Sequence, residues 1–169
     1  MKTTLLIVTR VLLITAIICT LSFAFYQSSL PPAESNEVSD GVSGILAKII
    51  PPETLLGTII HENIRTIAHF CEFFALGIFT SLYCALVSTA EIGVSKTKLI
   101  FVIVSLIFGS ICALIDESIQ FFSSRAPDII DVIVDTSGYV LAIFAVYTVY
   151  FAIFLVLNLI ARQRGKHRA

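Results

Sequence analysis

Eight side chains capable of binding or acid–base chemistry lie in or beside three apolar stretches of this 169-residue chain. They comprise one imidazole, five carboxylates, one amide and one guanidinium: His69, Glu72, Asp116, Glu117, Gln120, Arg125, Asp131 and Asp135. Ionisable groups are costly inside hydrocarbon, so they usually face the interior of a helix bundle and mark a functional site. We therefore take these eight residues as the candidate site.

The residue types indicate the chemistry of this site. A guanidinium such as that of Arg125 suits an anionic group, either a carboxylate or a phosphate. Buried carboxylates can take up and release protons, and we predict Glu117 and Asp131 as the central pair. Binding of an anionic group, with or without proton transfer, is the predicted chemistry.

Helical spacing places these side chains on common faces, because residues three or four apart are neighbours on a helix. His69 and Glu72 share one face and would form the wall of the site that faces the carboxylates of the other helices. Gln120 shares a face with both Asp116 and Glu117, where it could orient a neighbouring group.

A third polar face is predicted from residues that are four and three positions apart in the sequence. Asp131, Asp135 and Gly138 would lie along one face of the last apolar stretch, which gives two carboxylates beside a bare patch of backbone. We expect three helices to bring their polar stripes to the same depth on the same side of a membrane.

The elements that position these residues follow from composition. The chain is 57% hydrophobic and 14% charged, whereas about a quarter of the residues of a soluble domain are charged. A spanning helix needs about 20 mostly apolar residues, and residues 5–26, 67–90, 99–121 and 132–160 supply four such stretches. We predict an all-α, integral membrane four-helix bundle that forms one domain over residues 1–169.

The first stretch could be a membrane anchor or a cleaved signal peptide. Ser22-Phe23-Ala24 has the pattern of a cleavage site. The apolar run is longer than that of a usual signal peptide, and Arg10 interrupts it, so we favour an uncleaved anchor.

Basic residues predict the orientation, because cytoplasmic loops are enriched in Lys and Arg. With four spans, 8 of the 11 basic residues fall on one side. These eight are Lys2, Arg10, Lys96, Lys98, Arg162, Arg164, Lys166 and Arg168. Both termini are therefore predicted to be cytoplasmic, and the candidate site faces outward.

The outer loop over residues 27–66 is predicted to carry two short amphipathic helices on the membrane surface. Asp40 would cap the first helix, which would run to Ile50, and the second would run from Glu53 to about Ile64. These helices could cover the polar site or serve only as a connector.

Three motifs occur in a fixed order along the chain. They are HFCEF at residues 69–73, preceded by Arg65, then DESIQFF at residues 116–122, and finally R…DV…D-x-x-G at residues 125–138. Together they resemble the motifs of the VanZ-like family over about residues 26–142. Two positions depart from the family's pattern, because Ser124 and Ala142 stand where glycine is common.

The resemblance implies a protein of the bacterial plasma membrane that is associated with resistance to glycopeptides, chiefly teicoplanin. A site at headgroup depth could then bind or move an envelope lipid, a lipid-linked precursor or the antibiotic itself. Membrane lipids are expected partners. Nucleic acid is not expected, because the basic tail at residues 162–168 is typical of an anchor on anionic lipid.

Two other interpretations remain open. The first is a membrane enzyme that modifies an envelope lipid or glycan, in which His69, Glu72, Glu117 and Asp131 could hold a divalent metal. No sequence pattern has a known metal-ligand spacing, so we predict no cofactor. The second is a structural clamp, in which ion pairs such as Arg125 with Asp131 join the helices.

Overall fold

The computed structural model describes residues 2–90, 95–124 and 128–166. Those residues form six helices and no strand: α1 (Lys2–Ser29), α2 (Pro32–Leu46), α3 (Leu55–Glu62), α4 (Ile64–Ala90), α5 (Ser95–Phe122) and α6 (Ile129–Lys166). Four of them, α1, α4, α5 and α6, are long and apolar enough to cross a membrane. The predicted all-α fold, with four long helices and two short ones between the first and second long helices, is confirmed.

The four long helices extend beyond the apolar stretches that predicted them. α1 continues to Ser29 and α4 begins at Ile64, because a helix can run on through polar residues after the hydrophobic segment has ended. This extension matters for the site, since it brings Ser28 and Arg65 into regular helix. Arg125, by contrast, lies outside the described residues.

The first loop helix begins earlier than predicted. We expected a helix from Asp40 to Ile50, whereas α2 starts at Pro32 and ends at Leu46. Proline is favourable at the first helical position, because its missing N–H would be unpaired there in any case. Glu34 in the first turn also favours this start through the helix dipole.

The second loop helix follows the predicted position closely. Thr54 caps α3, and its hydroxyl oxygen accepts a hydrogen bond from the backbone N–H of Gly57 at 3.0 Å. Such a cap satisfies one of the backbone donors that the first turn leaves without a partner. α2 and α3 both contact α4, so the segment that joins α1 to α4 lies against the bundle.

α4 is the central helix, because it contacts α1, α5 and α6. The buried core consists of Phe73, Leu76, Cys112, Ala113, Tyr139 and Ile143. The phenolic oxygen of Tyr139 lies 2.9 Å from the hydroxyl of Ser105, so its polar end is paired inside the bundle. Large apolar side chains cover much of the outer surface of the long helices, as expected for surfaces in contact with lipid.

Two glycines allow α4 and α6 to approach closely. A Cβ atom at Gly138 would lie 2.5 Å from the carbonyl oxygen of Phe70. A Cβ atom at Gly77 would lie 2.7 Å from the carbonyl oxygen of Tyr139 and 2.8 Å from the Cβ of Ala142. Membrane helices depend on such small residues because lipid provides no hydrophobic force between them. This contact sets the distance between His69 on α4 and Asp135 on α6.

We predict that Gly138→Ala destabilises the bundle. The added methyl group would meet the Phe70 carbonyl, and overpacking of this kind costs roughly 1–3 kcal/mol. Gly41→Ala in α2 is the matched control, since its Cβ would meet nothing within 4 Å. Alanine in a helix is favoured over glycine by about 0.5–1 kcal/mol, so the control should be neutral or stabilising. Thermal unfolding in detergent measures both, and equal effects would contradict the close α4–α6 contact.

Candidate functional site

Three ionisable side chains meet where α4, α5 and α6 come together. The Nδ1 atom of His69 lies 3.6 Å from Oδ2 of Asp116 and 3.7 Å from Oδ1 of Asp135. All three residues are buried, with exposures of 5%, 0% and 1% respectively. We call these three residues the acid–imidazole cluster. A protonated imidazole there would form ion pairs with both carboxylates.

Polar side chains from α1 and α5 support this cluster. The hydroxyl of Ser28 donates a hydrogen bond to Oδ2 of Asp116 at 2.7 Å. The amide Nε2 of Gln120 donates to the same oxygen at 3.2 Å. The guanidinium of Arg65 in turn donates to Oε1 of Gln120 at 2.6 Å. Asp116 is thus held by a network that joins α1, α4 and α5.

The helix directions explain why these residues converge. Ser28 lies at the C-terminal end of α1, and Asp116 lies near the C-terminal end of α5. His69 and Asp135 lie near the N-terminal ends of α4 and α6. Two helix ends and two helix starts therefore meet at one end of the bundle, which is also the end covered by α2 and α3.

Four of the eight predicted site residues belong to this network: His69, Asp116, Gln120 and Asp135. Glu72 lies one turn beyond His69 on α4 and is half-buried. Asp131 lies one turn before Asp135 on α6 and is also half-buried. Arg125 is outside the described residues, so its predicted role as the cation that binds an anion stays a prediction.

The predicted central carboxylates are not those that the structure places at the centre. We expected Glu117 and Asp131, whereas Asp116 and Asp135 are the fully buried pair. Successive residues of a helix point about 100° apart, so Asp116 and its neighbour Glu117 cannot both face inward. One carboxylate oxygen of Glu117 accepts the backbone N–H of Asp128 instead. Glu117 therefore lines a groove beside the start of α6.

Two residues of the network were absent from the predicted set. Ser28 gave no sequence signal, because a serine at the end of an apolar stretch is ordinary. Arg65 was noted only as part of the resemblance to the VanZ-like motifs. Its position four residues before His69, on the same face of one helix, is the signal that could have identified it.

A pocket lies beside the cluster, between α1, α2 and α4. It has a volume of about 180 Å³. Its polar lining comes from Gln27, Ser35, Ser39, Arg65, His69 and Glu72, and its apolar lining from Phe23, Val38, Val42, Ile64 and Ala68. His69 belongs to both the pocket and the cluster, so the pocket reaches the buried carboxylates through this side chain.

Both departures from the family's glycine pattern have a clear structural setting. Ser124 has a φ of +62°, a left-handed conformation that glycine adopts without steric cost. The usual glycine at this position is therefore explained by the turn that follows α5. Ala142 is fully buried and packs against Gly77, where only a small side chain fits.

We predict that Ser28→Ala destabilises the protein more than Ser29→Ala. Ser28 supplies a buried donor to Asp116, whereas the exposed Ser29 bonds only to the carbonyl of Tyr26 in its own helix. Polar contacts between membrane helices contribute about 0.6 kcal/mol on average and about 1.7 at most. Unfolding of both variants in mixed micelles measures the difference. Equal stability would contradict the Ser28–Asp116 hydrogen bond.

Comparison with known proteins agrees with the motifs and the fold. The family model described as VanZ/LLP1 matches residues 13–156, which run from within α1 through α2–α5 and include most of α6. No curated protein matches the chain, and no solved structure matches it. The match contains every residue of the cluster and of its supporting network. This chain belongs to the VanZ/LLP1 family of membrane proteins.

Proposed function

We propose that this protein binds the anionic head of an envelope lipid or lipid-linked precursor at the outer face of the bacterial plasma membrane, and thereby limits the action of glycopeptides such as teicoplanin. The observation that carries this proposal is the pocket beside the cluster. It combines a cation, hydroxyl groups and an apolar wall, which are the features that an amphipathic lipid head requires.

The charge distribution supports an outward-facing pocket. The end of the bundle that holds the cluster also holds most of the acidic residues, whereas the basic residues near the termini and at the start of α5 belong to the other end. Because the basic end is expected in the cytoplasm, both termini would be cytoplasmic. The pocket would then open toward the outer leaflet, where envelope precursors are used.

The size of the pocket favours a headgroup over the antibiotic itself. Pockets that enclose a drug-sized molecule have volumes of roughly 300–1,000 Å³. At about 180 Å³, this pocket suits a phosphate or a small polar head, and a glycopeptide would not fit. An effect on teicoplanin would therefore act through the lipid or the precursor.

Arg65 is the described residue that is best placed to bind the anion. It lines the pocket, and its hydrogen bond to Gln120 holds the guanidinium near the cluster. Guanidinium groups bind phosphate and carboxylate through two parallel hydrogen bonds. Val38, Val42 and Phe23 provide the apolar side of the pocket for the adjoining chain.

We predict that Arg65→Ala weakens binding of polyprenyl phosphate by about 10–100-fold, because hydrogen bonds to charged groups contribute about 1.5–3 kcal/mol. Binding is measured with purified protein in nanodiscs. Lys48→Ala is the matched control, because Lys48 is an exposed cation of the same outer loop and does not line the pocket. Neutral polyprenol serves as the control lipid, since it lacks the anionic group.

The same variants test the cellular role. Wild type and Lys48→Ala should reduce teicoplanin susceptibility in a sensitive Gram-positive host, and Arg65→Ala should not, at equal membrane levels. If wild-type protein binds polyprenol and polyprenyl phosphate equally, the anion-binding proposal is wrong. If wild-type protein binds polyprenyl phosphate but not polyprenol, and yet neither wild type nor Lys48→Ala protects the host from teicoplanin, the lipid role stands and the resistance role is wrong.

A membrane enzyme that acts on an envelope lipid or glycan is the second candidate. The observation that favours it is the close approach of an imidazole to two buried carboxylates, an arrangement suited to acid–base catalysis. Mass spectrometry of polyprenyl phosphate after incubation with the protein distinguishes the two candidates. Conversion to a new species supports the enzyme, and recovery of unchanged lipid supports binding or movement.

A further inference from the structure

The acid–imidazole cluster has the donor atoms of a metal site. One ligand atom from each of His69, Asp116 and Asp135 lies within 4.8 Å of the other two. The imidazole nitrogen is 3.6 and 3.7 Å from the two carboxylate oxygens. A cation held at about 2.0–2.2 Å in tetrahedral geometry separates its ligands by about 3.4 Å. The two nitrogen–oxygen distances already lie close to that separation, and the two carboxylate oxygens, which lie within 4.8 Å of each other, would draw together around the ion.

We propose that these three side chains bind a divalent transition metal ion, of the zinc or manganese class. One imidazole nitrogen and two carboxylate oxygens suit such ions. Magnesium and calcium are bound almost entirely by oxygen ligands. Of the four ligands that the residue types suggested in the sequence, His69 alone belongs to this set, and Asp116 and Asp135 stand in place of Glu72, Glu117 and Asp131.

Asp135 gives independent support for a bound cation. Its side chain is 1% exposed, and among the described residues no donor forms a hydrogen bond to its Oδ1 atom, which lies 3.7 Å from Nδ1 of His69. A buried carboxylate oxygen without a donor is costly. A metal ion between Asp135 and His69 would satisfy that oxygen directly.

The residues around the cluster resemble the outer-shell partners of a metal site. Ligating carboxylates are usually hydrogen-bonded to neighbours that fix their orientation. Ser28 and Gln120 both donate to Oδ2 of Asp116, and Arg65 orients Gln120. The carboxylate of Asp116 is therefore held in place by three helices before any ion arrives.

The position of the site links it to the pocket without depending on lipid binding. His69 lines the pocket and also belongs to the cluster, so a bound ion would lie at the pocket wall. An anionic ligand in the pocket would then meet a dication as well as Arg65. The metal proposal stands or fails by itself, since it can be tested without any lipid.

The test uses untagged full-length protein in detergent, stripped with a chelator and then equilibrated with zinc or manganese ions. Elemental analysis should find one ion per chain, and the ion should raise the Tm. His69→Gln and Asp135→Asn should each weaken binding more than about tenfold, because loss of a mere outer-shell partner already costs about 10–100-fold. His61→Gln and Asp128→Asn are the matched controls and should bind as wild type does.

These controls change the same residue types outside the cluster. His61 lies close to the hydroxyl of Ser43 and to the carbonyl of Ile50, and Asp128 is exposed at the start of α6. Wild-type protein without stoichiometric metal would overturn the proposal. Equal Tm gains with magnesium or calcium would overturn the transition-metal assignment, as would controls that lose binding as strongly as the cluster variants.

A spectroscopic measurement keeps the proposal testable if the cluster variants do not fold. Manganese bound to wild-type protein should show coupling to a histidine nitrogen in electron–nuclear double resonance, and the coupling should persist in His61→Gln. Manganese without nitrogen coupling, or coupling that disappears in His61→Gln, would place the ion elsewhere and overturn the proposal.

Discussion

The cost of burying His69, Asp116 and Asp135 among apolar helices constrains the rest of the structure. Isolation of a charged side chain from water costs several kcal/mol unless it is paired and hydrogen-bonded. These side chains must therefore lie together, which requires α4, α5 and α6 to meet at the same end. The glycine contact between α4 and α6 and the Ser28 hydrogen bond from α1 help to meet this requirement.

Hydropathy and spacing predicted the four long helices and the end of the bundle at which the polar residues gather, because both follow from where apolar runs begin and end. They did not distinguish Asp116 from Glu117, since tertiary packing decides which of two adjacent residues of a helix faces inward. Ser28 was also beyond prediction, because one hydroxyl in an apolar helix gives no signal. The early start of α2 at Pro32 depended on the proline at its first position and on Glu34 in its first turn.

The site combines a buried cluster with a small adjoining pocket. The ligand that we propose for it is therefore a compact anionic group and not a large antibiotic. α2 contributes Ser35, Val38 and Val42 to that pocket, so the segment between α1 and α4 forms part of the site. This arrangement connects membership of the VanZ/LLP1 family to a specific chemical expectation, recognition of a lipid-borne anion near the membrane surface.

The central claim is that the cluster serves a ligand and does not hold the bundle together. The most direct measurement is the free energy of unfolding of a triple variant in which His69, Asp116 and Asp135 are all replaced by apolar side chains of similar size. Replacement of a whole buried ion cluster is often neutral or stabilising. We predict a folded bundle of equal or greater stability that binds polyprenyl phosphate more weakly, because the pocket wall loses His69 and Gln120, which holds Arg65, loses its contact with Asp116. Loss of the folded bundle, or full binding by the triple variant, would contradict the claim.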